Sequence, residues 1–183
     1  MIPLSQNPPA RFPARTIHEA ENPWWVAKIK PRQEKALAFD LIKHNVEYYL
    51  PMYTKVTRRR DNNKPRKSIV CLFPGYISFS PQKGYERDIY ATNRVVNLIE
   101  VKNQSHFKKE LEQVYHAIDL GIPIEPYQGD DLTPGQRVEV TSGPMRGIQG
   151  LIHKIHARHK LILSVDLLGK AAVSIDAHLV KPI

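Results

Sequence analysis

The side chains able to do chemistry in this 183-residue chain are eight histidines, one cysteine and an excess of cations. His153, His156 and His159 are the one histidine cluster. A spacing of three sends successive rings to opposite faces of an extended strand, so one metal ion does not readily gather them. Cys71 stands alone, which excludes an internal disulfide and a cysteine-based zinc site and suits a reducing compartment. Neither a phosphate-binding glycine loop nor a nucleophile motif is present. Enzyme chemistry therefore finds no constellation, and neither metal nor cofactor is expected. The cations remain. Lys and Arg number 27 against 18 Asp and Glu, a formal charge of +9. Residues 1–22 and 119–183 are each neutral, so residues 23–118 carry the whole excess, 18 basic against 9 acidic. That split assigns polyanion contact to one part of the chain and a different task to the other.

The elements that must position those cations follow from periodicity. Residues 1–22 hold four prolines and few large apolar groups and read as a flexible extension. Trp24 to Ile29 is a strand, and Pro31 sits where a helix can begin without losing a hydrogen bond. In the helix from Glu34 to Val46, Leu37, Ala38, Leu41 and Ile42 form the core stripe. Arg32, Phe39 and Lys43 fall on the opposite sector with Lys35 beside them, either a solvated face or one turned to nucleic acid. Glu47–Tyr53 is a second strand. Arg58 to Lys67, RRRDNNKPRK, has turn residues between two apolar runs and reads as a basic hairpin tip. Such a tip, with Arg58, Arg59 and Arg60 leading, is suited to phosphate.

A third strand spans Ser68–Ser80, with Phe73-Pro74-Gly75-Tyr76 interrupting it as a bulge or kink. A short helix over 86–92, a strand over 95–101 and a helix capped by Ser105 follow; Phe107, Leu111, Val114 and Ile118 form the helix's apolar face. The order implies an α+β fold with a mainly antiparallel sheet. A linker spans 119–133. From Gly135 the period changes to two, with turn chemistry at Ser142-Gly143-Pro144, and Gly147 and Gly150 bracket Ile148, where a bulge or a close backbone approach is expected. Four or five short strands in under fifty residues imply a small barrel over 134–183. No apolar run reaches the roughly 18 residues of a spanning helix, and no signal-peptide pattern opens the chain. A monomer with a cytoplasmic location is expected.

These motifs carry a family resemblance. Gly135–Gly150, with the tail Leu168-Gly169-Lys170-Ala171 to Val180, resembles the KOW motif. Trp24-Trp25-Val26, Lys30-Pro31-Arg32-Gln33-Glu34-Lys35, Tyr49-Leu50-Pro51 and Leu72-Phe73-Pro74-Gly75-Tyr76-Ile77 resemble the NGN domain of NusG transcription factors, over residues 23–118. The compact connections resemble operon-specific, RfaH-like members, while the end of the barrel at Gly169-Lys170-Ala171 resembles housekeeping members of the family equally. The resemblance implies a transcription elongation and antitermination factor whose first domain binds the clamp helices of RNA polymerase and suppresses pausing. Phe73, Pro74 and Tyr76 match the polymerase-binding pattern, and Lys30, Arg32 and Lys35 match a basic helix entry near non-template DNA. Met145 and Ile148 match positions that present apolar groups to a small-subunit ribosomal protein or to the Rho termination factor. The competing reading is a ribosome-associated RNA-binding protein built on the KOW fold, from which a basic second half is expected, whereas residues 119–183 are neutral in sum.

Overall fold

The computed structural model describes residues 7–127, 135–155 and 158–183, the side chains of residues 154, 155 and 158 excepted. The described part of the linker expectation ends at 127, and His156 lies outside. The chain divides into two compact units, Met1–Val101 and Lys102–Ile183. Both combine helix with antiparallel sheet, so the fold is α+β.

In the first unit the strands are β1 (Arg11–Phe12), β2 (Trp25–Ile29), β3 (Glu47–Tyr49), β4 (Met52–Arg58), β5 (Pro65–Cys71), β6 (Tyr76–Ser80) and β7 (Val95–Glu100). Helix α1 (Glu34–Lys43) follows β2, and α2 (Glu86–Ala91) precedes β7. Five strands form one sheet in the order β1-β3-β6-β2-β7. Strands β4 and β5 form a separate two-stranded ribbon. The sequence reads 47–53 and 68–80 as single strands, but each is broken. Leu50-Pro51 and Leu72–Gly75 are the crossings where β3 and β6 leave the sheet and continue as the ribbon. Proline cannot donate to a ladder, and Gly75 takes φ +85°, so both breaks fall where a continuous strand is weakest. The core gathers Leu37, Ala38 and Leu41 of α1 with Ala27, Ile29, Tyr48, Ile77 and Phe79 of the sheet. The stripe read from helical periodicity is the buried one, with Ile42 packed at its margin.

The expected flexible extension is corrected: residues 7–22 are packed. Strand β1 pairs with β3, Arg11 opposite Tyr49 and Phe12 opposite Tyr48, and Ile17 is fully buried. Arg11 explains this. Its guanidinium is buried against the Glu47 carboxylate, donates to the carbonyls of Tyr48 (3.0 Å) and Thr16 (3.1 Å), and lies 5.2 Å from the centre of the Trp24 ring. Arg15 completes the pair with 2.7 Å from its guanidinium to Glu47 Oε2. Two cations around one buried carboxylate hold the segment where low hydrophobicity alone would not.

The second unit begins with α3 (Gln104–Asp119), which the sequence reading places in the first domain. Its N-terminus is capped by Asn103, whose side chain accepts from the His106 N–H at 3.2 Å, rather than by Ser105. Phe107, Leu111 and Val114 are buried as the periodicity predicts, and Ala117 shares the fourth position with a half-buried Ile118. Six antiparallel strands follow: β8 (Ile124–Pro126), β9 (Gln136–Val140), β10 (Gln149–Ile155), β11 (Arg158–Val165), β12 (Gly169–Ile175) and β13 (Val180–Pro182). Their order is β13-β9-β10-β11-β12-β8. Strand β8 arises from the expected linker, because Ile124 is apolar and pairs with Val173 at the sheet edge. Gly150 is the close approach: a Cβ there would sit 2.5 Å from the Ile162 carbonyl oxygen. Helix α3 fastens to this sheet through its polar side chains. Gln113 accepts the Gln149 N–H (2.7 Å) and Glu110 accepts the Asp166 N–H (2.8 Å).

Candidate functional site

The turn Phe73-Pro74-Gly75-Tyr76 is built by hydrogen bonds from three directions. The Leu72 N–H donates to the Pro51 carbonyl (2.8 Å), fixing the base of the ribbon. The Ile29 N–H donates to the Gly75 carbonyl (2.8 Å), tying the turn to the end of β2. The Gly75 N–H donates to Glu34 Oε1 (2.8 Å), tying it to the first turn of α1. Glu34 is itself buried, so its carboxylate has little water to turn to and favours this charge-assisted bond. The result is an outward-facing Pro74 and a half-buried Tyr76, while Phe73 is only 5% exposed. Phe73, expected in the interface, is therefore a core anchor of the turn. Pro74 and Tyr76 form its outer surface, an apolar pair with one phenolic tip.

Cys71 ends β5 beneath this turn. Burial pushes its thiol up to about 11, the nearby Glu34 carboxylate adds to the shift and Lys35 opposes it. The thiol is a packing group at neutral pH.

The expected cations fall at four places. Lys30 and Arg32 are exposed at the entry to α1, Lys30 Nζ lying 2.7 Å from Asn93 Oδ1 and Arg32 taking φ +63°. Lys43, in the last helical turn, is exposed and 3.5 Å from Asp40. Lys35 is different: its ammonium donates to Asn7 Oδ1 and to the Ile69 carbonyl, both at 2.6 Å. It is committed to joining α1, the N-terminal segment and the ribbon, and it leaves the candidate nucleic-acid surface. Arg58, Arg59 and Arg60 are exposed at the end of the ribbon, where the Arg59 N–H donates to the Lys64 carbonyl at 2.9 Å. Phe39, between Lys35 and Lys43 in sequence, is 37% exposed.

Met145 and Ile148 do not face outward. They are 7% and 4% exposed, in a tight loop closed by the Ile148 N–H on the Met145 carbonyl (3.0 Å) and the Gly147 N–H on the Val140 carbonyl (2.8 Å). Gly147 takes φ +88°, which turns Ile148 inward. Their expected role as exposed partner contacts is corrected to core packing. Arg146, between them, is exposed.

Sequence reasoning missed two ion networks. Besides Arg11 and Arg15 on Glu47, Arg94 Nε lies 2.7 Å from Asp40 Oδ2 and its guanidinium reaches Gln33, fastening the start of β7 to α1. These partners are far apart in sequence, and no local spacing signals them. Among the described residues no group of three His, Cys, Asp or Glu side chains is placed to hold a metal ion.

The match to known families decides the affiliation. Residues 22–115, just over half of the chain, match the family model described as transcription termination factor nusG. The chain belongs to the NusG family. Among solved structures it is similar to the one described as domain interaction in Thermotoga maritima NusG. That likeness has 16% identity over 88% of this chain and 97% of the other, at a TM-score of 0.48. It is also similar to the MjSpt4:Spt5 complex in conformation B, with 14% identity over 87% and 96% of the two chains, at a TM-score of 0.25. No curated protein matches the chain. Membership makes this a protein of a transcription factor family, and NusG-family factors act with RNA polymerase. No helix among the described residues is long and apolar enough to cross a membrane.

Proposed function

We propose that the chain is a transcription elongation and antitermination factor of the specialised, RfaH-like kind. Its first unit binds the clamp helices of RNA polymerase through Pro74 and Tyr76 and suppresses pausing. The observation that carries this reading is the turn itself. An exposed proline and a half-buried tyrosine border a turn fixed by Pro51, Ile29 and Glu34, in a family of transcription factors. Rigid presentation matters because an anchor already held in its bound conformation loses little entropy on docking. Tyrosine suits the task, having an apolar body for a helix surface and a hydroxyl for its polar rim. Lys30, Arg32 and Lys43 then face the non-template strand as a screened, long-range attraction. The second unit, neutral in sum over residues 119–183, is proposed to recruit a small-subunit ribosomal protein or Rho, acting in the cytoplasm. The test is a purified elongation assay with wild-type protein and Tyr76→Ala: the wild type shortens pauses and the variant does not.

A further inference from the structure

We infer that the β4–β5 ribbon is a reader of duplex DNA that lies in the major groove. This goes beyond the non-template contact proposed above for Lys30, Arg32 and Lys43 and concerns a separate set of cations. The ribbon is an arm of two seven-residue strands, paired from Met52 with Cys71 to Arg58 with Pro65. Seven residues at about 3.3 Å each make it roughly 23 Å long. From Thr54 to Pro65 every residue is exposed, on both faces. The ribbon and its turn carry Lys55, Arg58, Arg59, Arg60, Lys64, Arg66 and Lys67, with Asp61 as the one acidic residue. Register puts cations on both faces: Lys55 and Arg66 on one, Arg58 and Lys67 on the other. Like charges so close repel one another, and a polyanion that surrounds the arm relieves this.

Shape then selects among nucleic acids. The major groove of B-form DNA, about 12 Å wide, admits a two-stranded ribbon, whereas its minor groove of about 6 Å does not. The deep, narrow major groove of A-form RNA excludes it as well. An unpaired strand is held chiefly by stacking on aromatic rings, and residues 54–71 contain none. A groove flanked by phosphates on both sides is the polyanion that matches an arm charged on both faces. Val56, 59% exposed and opposite Lys67, has no role in a core. On a groove floor its methyl groups meet thymine methyls.

The experiment measures binding of the full-length chain to a 24-base-pair DNA, to single-stranded DNA of equal length and to the matching duplex RNA, by fluorescence anisotropy across salt. The duplex DNA is expected to bind at least about fivefold tighter than either competitor, and Arg58→Ala/Arg59→Ala/Arg60→Ala is expected to flatten the slope of log K against log salt by about 2.7. Methyl green, which occupies the major groove, should displace the protein, and distamycin, which occupies the minor groove, should not. Equal or tighter binding of single-stranded DNA or RNA, an unchanged salt slope, or displacement by distamycin alone overturns the inference. Polymerase binding by the triple variant is measured in parallel. Its retention with loss of duplex preference supports a separate DNA arm, whereas wild-type duplex binding without any polymerase binding keeps the arm and removes the polymerase reading.

Discussion

Glu34 Oε1 accepts the Gly75 N–H at 2.8 Å, joining the first turn of α1 to the turn that carries Tyr76. The carboxylate is buried and the glycine sits at φ +85°, so the bond fixes a backbone conformation that few residues adopt. Glu34→Ala removes the acceptor and leaves the Gly75 N–H without it. A loss of about 1–3 kcal/mol in urea unfolding is expected. Polymerase affinity should fall with it, because the turn loses its fixed shape. Glu34→Gln keeps a neutral acceptor and is expected to fall between the two.

The N-terminal segment is held by one buried carboxylate, which sets up a second prediction. Arg11→Ala leaves Glu47 with only the half-exposed Arg15, and breaking a buried pair in this way costs about 3–5 kcal/mol. Proteolysis should then cut within residues 7–22 well before the rest of the first unit. Equal resistance to protease in variant and wild type would show that β1 does not depend on the ion pair.

Ile148 tests the packing of the second unit. It is 4% exposed, so Ile148→Ala should lower stability by about 2–5 kcal/mol. Arg146→Ala, two residues away and exposed, should stay within about 0.5 kcal/mol of wild type. Differential scanning calorimetry separates them. Should Ile148→Ala melt like Arg146→Ala, the loop would have to turn outward in solution.

The cysteine supplies a pH dependence. Burial raises the Cys71 thiol to about 11 from an ordinary value near 9, so the folded state holds this proton more tightly than the unfolded chain. Its contribution to stability is whole below pH 9 and is lost as pH rises toward 11. Labelling by a thiol reagent should stay slow at pH 8 and accelerate with a midpoint near pH 11. A midpoint near 9 would mean that the site is open to water.

Much of this architecture was legible in sequence, and the particular residues show why. The α1 stripe at Leu37, Ala38 and Leu41 follows from a period of 3.6. The strands from Gln136 onward follow from a period of two, and the FPGY break from the chemistry of proline and glycine. What was hidden depends on partners distant in the chain. Prolines suggested a loose N-terminus, and only Glu47, 36 residues beyond Arg11, reveals why it is packed. Lys35 reads as one more surface cation until Asn7 and Ile69 are found around its ammonium. The inward turn of Ile148 depends on the positive φ of Gly147, a property that glycine permits without announcing.

The most direct test of the central claim is the affinity of Tyr76→Ala for purified RNA polymerase, measured beside its effect on pause duration. Tyr76 is half-buried on an anchored turn, so the variant should fold and give an unchanged circular dichroism spectrum. Loss of an interface hot spot of about 2 kcal/mol weakens binding about thirtyfold. Pauses that wild-type protein shortens should return to their unassisted length at matched concentration. A folded Tyr76→Ala that binds polymerase and shortens pauses as well as wild type would contradict the account.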